Sequence, residues 1–286
     1  MKYEFIEKNR SSFAVERMCR ALRVSRSGYY SWRKNGVSRR SLSNRCLLEH
    51  IESIMQMSRM TYGSPRITAE LNFRGINCGK NRVARIMREN DIIAKTKRKF
   101  KATTKSKHNF PVASNVLARE FFADKPNHKW TSDITYVWTH KGWLYLAVIL
   151  DIYSRQIVGW SMSDRLTKEL VINALNHAVT RRKPPPGMIF HSDRGSQFAC
   201  GEFQNLLTKY GMIPSMSRAG DCYDNAITET FFGTLKTELT YFENYRSRNE
   251  AKRSIFEYIE VFYNRQRRHS ALGYLTPAEF EKTRLN

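Results

Sequence analysis

Apolar residues recur along this chain at two different spacings, and the spacing changes partway along it. In the first part they recur every three or four positions, which is the period of an amphipathic helix. Val15, Met18 and Leu22 form one such stripe, and Ser25 follows as a candidate cap for a second short helix. Both a small helix-turn-helix and a plain helical hairpin fit residues 11–33.

A stronger helical pattern covers residues 39–94 and predicts three helices. Ser64 and Pro65 are expected to cap and start the second of them, and the stretch 75–79 supplies a glycine-bearing turn before the third. The residues expected to face inward are Leu47, Leu48, Ile51, Ile54 and Met55 in the first helix, Ile67 and Leu71 in the second, and Val83, Ile86 and Met87 in the third.

The third of these helices combines an apolar inner face with a cationic outer face. The outer face carries Lys80, Asn81, Arg82 and Arg85, which we predict to contact DNA. Three helices, a glycine turn and a cationic last helix are typical of helix-turn-helix DNA readers. A solvated basic face on an ordinary helical bundle is the alternative.

A basic linker is expected at residues 95–126, and its first part, residues 95–107, is poor in apolar residues. This first part holds seven Lys or Arg, of which Lys97, Arg98 and Lys99 are predicted DNA contacts. Such a segment can become ordered along phosphates. An ordinary solvated linker has the same composition.

From about Asn127 the spacing becomes that of strands. Three strands joined by short turns are predicted, with Asp133 on the first, residues 143–153 forming the second and residues 156–162 the third. A helix at residues 168–182 follows and ends at a run of prolines. Alternating strands and helices complete the pattern, which predicts an α/β fold. Ile227, Phe231 and Leu235 recur every four residues and are expected to form the inner stripe of one of these helices, and Thr276 with Glu279 is expected to form a capping box for a last helix.

Three carboxylates stand where this pattern would bring them together. Asp133 interrupts a run of strand-forming residues, against the strand preference, and such breaks often mark function. Asp193 ends a short apolar strand just before a glycine turn, and Glu229 lies on a helix whose same face carries Lys236. A gap of 35 residues separates Asp193 from Glu229.

That gap alone selects nothing, because other aspartate–glutamate pairs share it. The same 35 residues separate Asp133 from Glu169, Asp221 from Glu257 and Asp224 from Glu260. Only the Asp193 pair joins a strand end to an amphipathic helix with a cation on the same face. Context therefore selects Asp133, Asp193 and Glu229.

The motifs around these residues resemble those of DDE transposases of the retroviral-integrase superfamily, specifically the OrfB-type catalytic protein of a bacterial insertion sequence. The matching motifs are Trp130-Thr131-Ser132-Asp133, His191-Ser192-Asp193-Arg194-Gly195, Cys222-Tyr223-Asp224-Asn225, Glu229 through Lys236, and Tyr263-Asn264 with Arg268-His269. The resemblance implies a ribonuclease-H-like, integrase-type core with N-terminal helix-turn-helix modules and a small helical C-terminal region.

The resemblance also implies chemistry for these residues. Asp133, Asp193 and Glu229 would be the catalytic residues and the ligands of two Mg²⁺ ions, for which Mn²⁺ can substitute, in metal-dependent nicking and strand transfer of DNA. Lys236 would contact phosphate near the scissile bond, and Arg268 would contact DNA or, equally, hold the acidic helix. Asp224 is expected to be a turn or cap residue, and His191 either lies near the metals or is a structural histidine. A nuclease or resolvase that cuts without joining, and a transposase-derived DNA-binding regulator, are the rival functions.

Charge supports a nucleic-acid partner. The 49 Lys and Arg exceed the 26 Asp and Glu, which gives a net charge of +23 that favours binding to a polyanion. The longest apolar run, Trp143–Leu150, is too short to span a membrane, and no secretory signal is expected. Five scattered cysteines without CxxC spacing indicate neither a zinc module nor a disulfide scaffold.

The charge predicts DNA as a partner, and the resemblance implies that this DNA is terminal inverted repeats and target, bound by a cytoplasmic, nucleoid-associated bacterial protein. The resemblance also implies a homodimer or larger synaptic oligomer, with an upstream-frame OrfA-type product as a further partner. We expect residues before about 95 to fold apart from the catalytic core. The predicted divisions are a short helical segment at 1–38, a helix-turn-helix domain at 39–94, a linker at 95–126, a catalytic core at 127–240 and a helical subdomain at 241–286.

Overall fold

The fold was obtained as a computed structural model that describes residues 2–36, 38–95, 111–218 and 222–285. Its first unit is a bundle of three short helices: α1 (Lys2–Asn9), α2 (Val15–Ala21) and α3 (Arg26–Asn35). They enclose a small cluster formed by Ile6, Met18, Cys19 and Tyr29. As predicted, the Ser25 hydroxyl caps α3 by accepting a hydrogen bond from the Gly28 amide at 3.0 Å. Helix α1 was not predicted, because its one buried residue, Ile6, gives no apolar stripe.

A second set of three helices matches the predicted helix-turn-helix pattern. These are α4 (Arg39–Met57), α5 (Ser64–Phe73) and α6 (Lys80–Glu89). The predicted inward residues are buried except for Leu48, which packs partly buried against the same cluster. One detail differs, because Ser64 is the first residue of α5 and Gly63 occupies the cap position.

A five-stranded sheet follows, with strand order β3-β2-β1-β4-β5. Its strands are β1 (Lys129–Thr139), β2 (Gly142–Asp151), β3 (Ile157–Ser163), β4 (Ile189–Ser192) and β5 (Ile213–Met216). Strands β1, β2 and β3 pair antiparallel, as the short turns predicted. Strand β4 pairs parallel with β1, and β5 pairs parallel with β4. This is the ribonuclease-H-like arrangement that the resemblance implied.

Helices cover both faces of this sheet. Helices α7 (Lys168–Arg182), α8 (Ser196–Ala199) and α9 (Gly201–Lys209) pack on one face. The other face is covered by α10 (Ala226–Leu235) and α11 (Arg248–Glu257). The alternation of β2 shows the division, since Ala147 and Ile149 join the first cluster while Leu146 and Val148 join the second.

The C-terminal region continues the helices of the second face. Helix α10 extends as a π-helical turn at Lys236–Thr240, and α11 extends as a longer one at Tyr258–Tyr263. Short 3₁₀ turns lie at Cys222–Asn225 and Ser270–Leu272. The last helix, α12 (Pro277–Leu285), begins with the predicted capping box: Thr276 and Glu279 exchange side-chain-to-amide hydrogen bonds of 2.9 and 3.2 Å.

Helices α4 to α6 are packed against the sheet and the helices of its second face, and that they also fold apart from these elements stays a prediction. Their buried residues belong to one continuous apolar cluster with residues of β1, β2, α10 and α11. Polar contacts cross the same boundary: Arg59 pairs with Glu257 at 2.8 Å, and the Tyr62 hydroxyl donates to the carbonyl of Gln266 at 3.2 Å. The basic composition of the linker carried no information about these contacts.

Arg268 belongs to this boundary, which corrects its predicted role as a DNA contact. Its side chain is 5% exposed and pairs with Glu70 of α5 at 2.5 Å and with Glu279 at 3.4 Å. An arginine that is buried against two carboxylates is held by protein and does not face solvent phosphate.

Among the residues that the structure describes, every helix is too short or too polar to cross a bilayer.

Candidate active site

The sheet brings Asp133 and Asp193 to the same place. Strands β1 and β4 run parallel, and the last residues in register are Ser132 and Ser192. Asp133 and Asp193 are the next residues along the two segments, so both carboxylates lie at the point where the β1–β4 pairing ends. Beyond this point β1 continues to Thr139 while β4 has ended.

Glu229 approaches from the helix that crosses this edge. It lies in the first turn of α10, while Ile227, Phe231 and Leu235 of the same helix are buried in the core beneath it. The predicted inner stripe of this helix is therefore confirmed. The Glu229 side chain is exposed, and partial desolvation still raises its pKa.

Electrostatics ties the three carboxylates and Lys236 into one site. Desolvation raises the pKa of Asp133 well above its usual range, and the negative charges of Asp193 and Glu229 raise it further. The amide of Ile134, which donates to Asp133 Oδ1 at 2.7 Å, and the charge of Lys236 act in the opposite direction. Desolvation lowers the pKa of Lys236, against the attraction of Asp133.

The turn after β4 holds Asp193 in place. Its Oδ1 accepts a hydrogen bond from the Gly195 amide at 2.9 Å, and a Cβ at position 195 would lie 3.0 Å from that same oxygen. Glycine at this position therefore lets the backbone approach the carboxylate. Arg194 anchors the turn by donating from Nε to the carbonyl of Ser217 at 2.6 Å.

A buried polar network sets the register between α10 and β1. The side-chain oxygen of Asn225 accepts from the hydroxyls of Thr131 and Thr228, the latter at 3.1 Å, and its amide nitrogen donates to the carbonyl of Ser132 at 3.1 Å. All three polar side chains are at most 4% exposed. Because Thr131 and Ser132 immediately precede Asp133, the network fixes the start of the Glu229 helix against the Asp133 strand.

Sequence reasoning missed this network. Asn225 and Thr131 were predicted only as parts of motifs, and Thr228 was not predicted to have any role. One signal in the sequence could have indicated it. Thr131 and Ser132 are two hydroxyl side chains at the start of a buried strand, and buried hydroxyls need hydrogen-bond partners.

A second network fixes the segment that follows β5. Asp224 is fully buried and accepts from the Asn115 side chain at 2.9 Å, the Arg119 side chain at 2.9 Å and the Arg218 amide at 2.9 Å. The bonds from Arg218 and Arg119 lower the pKa of Asp224 despite the opposing effect of burial. This agrees with the prediction that Asp224 is a structural residue of the turn and not a ligand.

His191 is a structural histidine. It is fully buried, and its two ring nitrogens lie 2.9 Å from the Ser215 hydroxyl and 3.1 Å from the Ser217 hydroxyl. Burial lowers its pKa to about 4, so the ring is neutral near pH 7. Of the two readings that the sequence left open, the structure favours a satisfied core residue.

The glutamates of the other equally spaced pairs are engaged elsewhere. Glu260 binds Arg181 at 2.6 Å and the Trp160 indole at 2.8 Å, and Glu257 pairs with Arg59. The pKa of Glu169 is lowered by a hydrogen bond with the Thr167 hydroxyl at the start of α7. The sequence context therefore selected Asp193 and Glu229, and both of these carboxylates lie close enough to Asp133 for their charges to act on it.

The predicted DNA contacts on α6 have different environments. Lys80 and Asn81 are exposed at its first turn, whereas Arg82 donates to Asn44 of α4 at 2.8 and 3.0 Å. Arg85 is half-buried and lies 4.0 Å from Glu89. Lys97, Arg98 and Lys99 lie outside the described residues.

The donor set of the site suits a hard divalent cation. Carboxylate oxygens are the ligands that Mg²⁺ prefers. Burial, and after it the charges of Asp193 and Glu229, raise the pKa of Asp133, and a cation between the carboxylates would oppose the contribution of those charges. In the described part of the chain, no three His, Cys, Asp or Glu side chains already have the geometry of a metal-ligand cluster. Asp133, Asp193 and Glu229 are thus neighbours whose side chains would still have to close around an ion.

Family models match most of the chain. A model described as "Integrase core domain" matches residues 123–222, and a second with the same description matches residues 229–285. A model described as "HTH-like domain" matches residues 41–100. The two integrase-core matches contain the three carboxylates, and the HTH-like match contains α5, α6 and all of α4 except its first two residues.

Two similar proteins come from enteric bacteria. "Transposase InsF for insertion sequence IS3A" of Escherichia coli (strain K12) is 43% identical over 291 residues and covers 100% of both chains. "Insertion element IS600 uncharacterized 31 kDa protein" of Shigella sonnei is 47% identical over 265 residues, which are 93% of this chain and 97% of that protein.

Two solved structures also match, at lower sequence identity. A chain of the simian T-cell lymphotropic virus intasome is 18% identical with a TM-score of 0.47, covering 75% of this chain and 70% of its own. The HTLV-2 integrase catalytic core domain in complex with magnesium is 22% identical with a TM-score of 0.42, covering 55% of this chain and 98% of its own.

Proposed function

The chain belongs to the family of integrase-core transposases that includes InsF of insertion sequence IS3, and we propose on this basis that it cuts and joins DNA. The proposed reactions are nicking at the ends of its own mobile element and transfer of the freed strands into target DNA. Asp133, Asp193 and Glu229 are the proposed catalytic and metal-binding residues.

One observation carries this proposal. Asp133 and Asp193 lie where the parallel pairing of β1 and β4 ends, and Glu229 lies in the first turn of α10. Burial, and then the charges of Asp193 and Glu229, raise the pKa of Asp133. Such an arrangement is unfavourable without a positive partner, and oxygen ligands suit Mg²⁺. When bound, a pair of Mg²⁺ ions would activate an attacking oxygen and stabilise the leaving oxygen of a phosphoryl transfer.

The two reactions differ only in their nucleophile. In nicking, water attacks phosphorus, the bond to the 3′ oxygen breaks, and a 3′-hydroxyl and a 5′-phosphate result. In joining, that 3′-hydroxyl attacks a phosphodiester of the target, and the target's own 3′ oxygen leaves. One site can therefore perform both reactions.

The chain's own residues would place the DNA for these reactions. Lys236 lies close enough to Asp133 for their charges to interact, so its ammonium can hold a phosphate beside the carboxylates. The Asn225 network keeps α10 in register with β1 and thereby keeps Glu229 beside Asp133. Gly195 and its amide hold Asp193.

Binding to element ends is proposed to use the helix-turn-helix region. Lys80 and Asn81 are exposed at the start of α6, where they can reach DNA, and Arg85 lies one turn further along. We propose residues 39–94 as the end-reading unit and 127–240 as the catalytic unit, although the two are packed together. We further propose a homodimer or larger synaptic assembly that acts in the cytoplasm, with an upstream-frame product as a partner.

A joining assay tests the proposal. The full-length chain is incubated with a labelled duplex that carries the end of the DNA element encoding it, together with a supercoiled target plasmid, in Mg²⁺ or in EDTA. Label should enter the plasmid only with Mg²⁺. Cutting without joining would indicate a nuclease or resolvase, and end binding without either reaction, with or without the upstream-frame product, would indicate a regulator.

A further inference from the structure

Three large aromatic side chains lie exposed on the part of the sheet that extends beyond β4. Tyr136, Trp138 and Trp143 are 43%, 57% and 42% exposed. Tyr136 and Trp138 share a face because they are two positions apart on β1, and Trp143 is the cross-strand partner of Trp138 on β2. We call these three residues the aromatic strip.

The rings of the strip form one continuous surface. Trp143 contacts both of the others edge to face, with ring centroids 5.0 Å from Tyr136 and 4.8 Å from Trp138. The intervening residues Val137 and Thr139 are buried on the opposite face of the sheet. Exposed aromatic side chains that form a group often mark an interaction site, whereas single exposed aromatic side chains are common on protein surfaces.

Cations stand at both ends of the strip. The Lys236 ammonium lies 5.6 Å from the centre of the Tyr136 ring, at the end nearer Asp133. At the other end Arg248 donates from Nε to the carbonyl of Trp143 at 3.0 Å. Arg248, Lys141 and Lys252 line an open depression beside the β1–β2 turn, together with one carboxylate, Asp164.

The strip also begins close to the proposed active site. Tyr136 is three residues beyond Asp133 on the same strand, and Trp138 is five beyond it, which is roughly 10 and 17 Å along β1 at about 3.4 Å per residue. Because side chains alternate along a strand, the strip lies on the opposite face of β1 from the Asp133 side chain. Since β4 ends beside Asp133, a DNA strand held there would reach the strip by crossing the edge of β1 that β4 leaves uncovered.

We propose that the aromatic strip is a stacking platform for unpaired bases of the DNA strand that passes through the active site. This rests on the proposed function, since it takes the same DNA as its ligand. Aromatic rings bind bases of any sequence by stacking, and cations on either side hold the phosphates of the same strand. A self-association face would place these same cations opposite their copies in a chain of net charge +23, which opposes that use.

Binding of single-stranded DNA without metal tests the proposal. The full-length chain is titrated into fluorescein-labelled dT20 and into a 20-base-pair duplex, both in EDTA, and anisotropy is followed. Trp138→Ala and Trp143→Ala should each weaken dT20 binding about tenfold and duplex binding less than twofold. Because stacking neutralises no phosphate, the salt dependence of dT20 binding should keep its slope.

Phe122→Ala is the matched control. Phe122 is also an exposed aromatic residue, at 69%, but it precedes the opposite end of β1, where its carbonyl accepts from Lys129. This variant should bind dT20 as the unchanged chain does. If it loses as much affinity as the strip variants, the loss is not specific to the strip and the proposal is wrong.

Tryptophan fluorescence gives a second readout that needs no alanine variant to fold. Adding unlabelled dT20 should quench the tryptophan fluorescence of the chain without substitutions. Replacing both Trp138 and Trp143 by Phe should remove most of that quench, while the affinity for dT20 stays within about threefold. An undiminished quench in the double Phe variant would overturn the proposal. So would alanine variants that lose self-association in sedimentation but bind dT20 normally, since that result identifies a second copy as the occupant.

These outcomes are separate from those that test the proposed function. If the chain joins element ends in Mg²⁺ while the strip variants bind dT20 normally, only the stacking platform is refuted. If the unchanged chain binds neither dT20 nor duplex and joins nothing, the proposed function fails and the platform fails with it.

Discussion

Replacing Asn225 with alanine should uncouple the Glu229 helix from the Asp133 strand. Asn225 is 4% exposed and links α10 to β1 through Thr131, Thr228 and the carbonyl of Ser132. We expect this variant to lose both stability and cleavage activity. The loss of activity should exceed what the loss of stability explains.

The bonds that are lost set the size of the effect on stability. Three hydrogen bonds disappear at about 1 kcal/mol each, and the Ser132 carbonyl loses a partner inside the protein. The two threonine hydroxyls can still pair with each other at 2.9 Å, which limits the cost. The free energy of unfolding should therefore fall by about 3 kcal/mol. A displacement of Glu229 by about 1 Å should slow cleavage by roughly 10².

Asn264 provides a matched control for a buried asparagine. It is 2% exposed, and it both accepts from the Ile157 amide at 2.9 Å and donates to the Ile157 carbonyl at 3.0 Å. It thus joins the C-terminal helices to β3, on the far side of the sheet from Asp193. Asn264→Ala should cost about 2 kcal/mol and leave the cleavage rate of the folded fraction unchanged.

The assay pairs urea unfolding with single-turnover cleavage of an end-bearing duplex, at a temperature where both variants are folded. Circular dichroism gives the folded fraction, and rates are divided by it. If Asn225→Ala and Asn264→Ala then have the same rate, Asn225 contributes stability alone. The argument that it positions Glu229 would be refuted.

Three further predictions concern charge. Because the net charge is +23, affinity for duplex DNA should fall at least about a hundredfold between 50 and 200 mM salt, and a flat profile would exclude DNA as the main partner. Arg268→Met removes one of the two arginines that pair with Glu70 and leaves Arg74 at 2.8 Å, so it should lower the free energy of unfolding by about 2 kcal/mol and leave the slope of log affinity against log salt unchanged. A slope reduced by about one would instead identify Arg268 as a phosphate contact. Burial raises the pKa of Asp151 to about 6, so the folded state binds the extra proton, and this contribution to stability is present at low pH and lost as pH rises through 6. Between pH 7 and pH 5 the unchanged chain should therefore gain about 1 kcal/mol relative to Asp151→Asn in urea unfolding, and an equal change in both would contradict that shift.

Local patterns predicted those parts of the fold whose side chains meet near neighbours in the sequence. The stripe of Ile227, Phe231 and Leu235 is set by helical period, and the capping box of Thr276 and Glu279 spans only three residues. Asp133 was found because it conflicts with its strand, which is a local signal as well. These features need no knowledge of distant parts of the chain.

Features that depend on distant partners were not predicted. Arg268 meets Glu70 across 198 positions, and Asn225 meets Ser132 across 93. The residues next to Arg268 in the sequence are polar or basic. Such neighbours occur both around a buried, ion-paired arginine and around an arginine that contacts DNA, so they do not distinguish the two. The same reason explains why a basic linker suggested a separate N-terminal domain while the apolar residues of α4 to α6 join the core.

The central claim is that Asp133, Asp193 and Glu229 form one metal-dependent site. It is tested most directly by Asp133→Asn, Asp193→Asn and Glu229→Gln, measured singly for Mg²⁺-dependent nicking and joining beside Glu169→Gln. Each triad variant should remain folded, since removing one of three mutually repelling charges does not destabilise the metal-free chain.

Each triad variant should also lose both reactions together, on the order of a thousandfold or more, because ligands of a shared site act as a unit. Glu169→Gln should keep full activity, since that exposed side chain lies at the start of α7. Normal cutting and joining by Glu229→Gln, with an inactive Glu169→Gln, would contradict the account and move the site to Asp133 and Glu169.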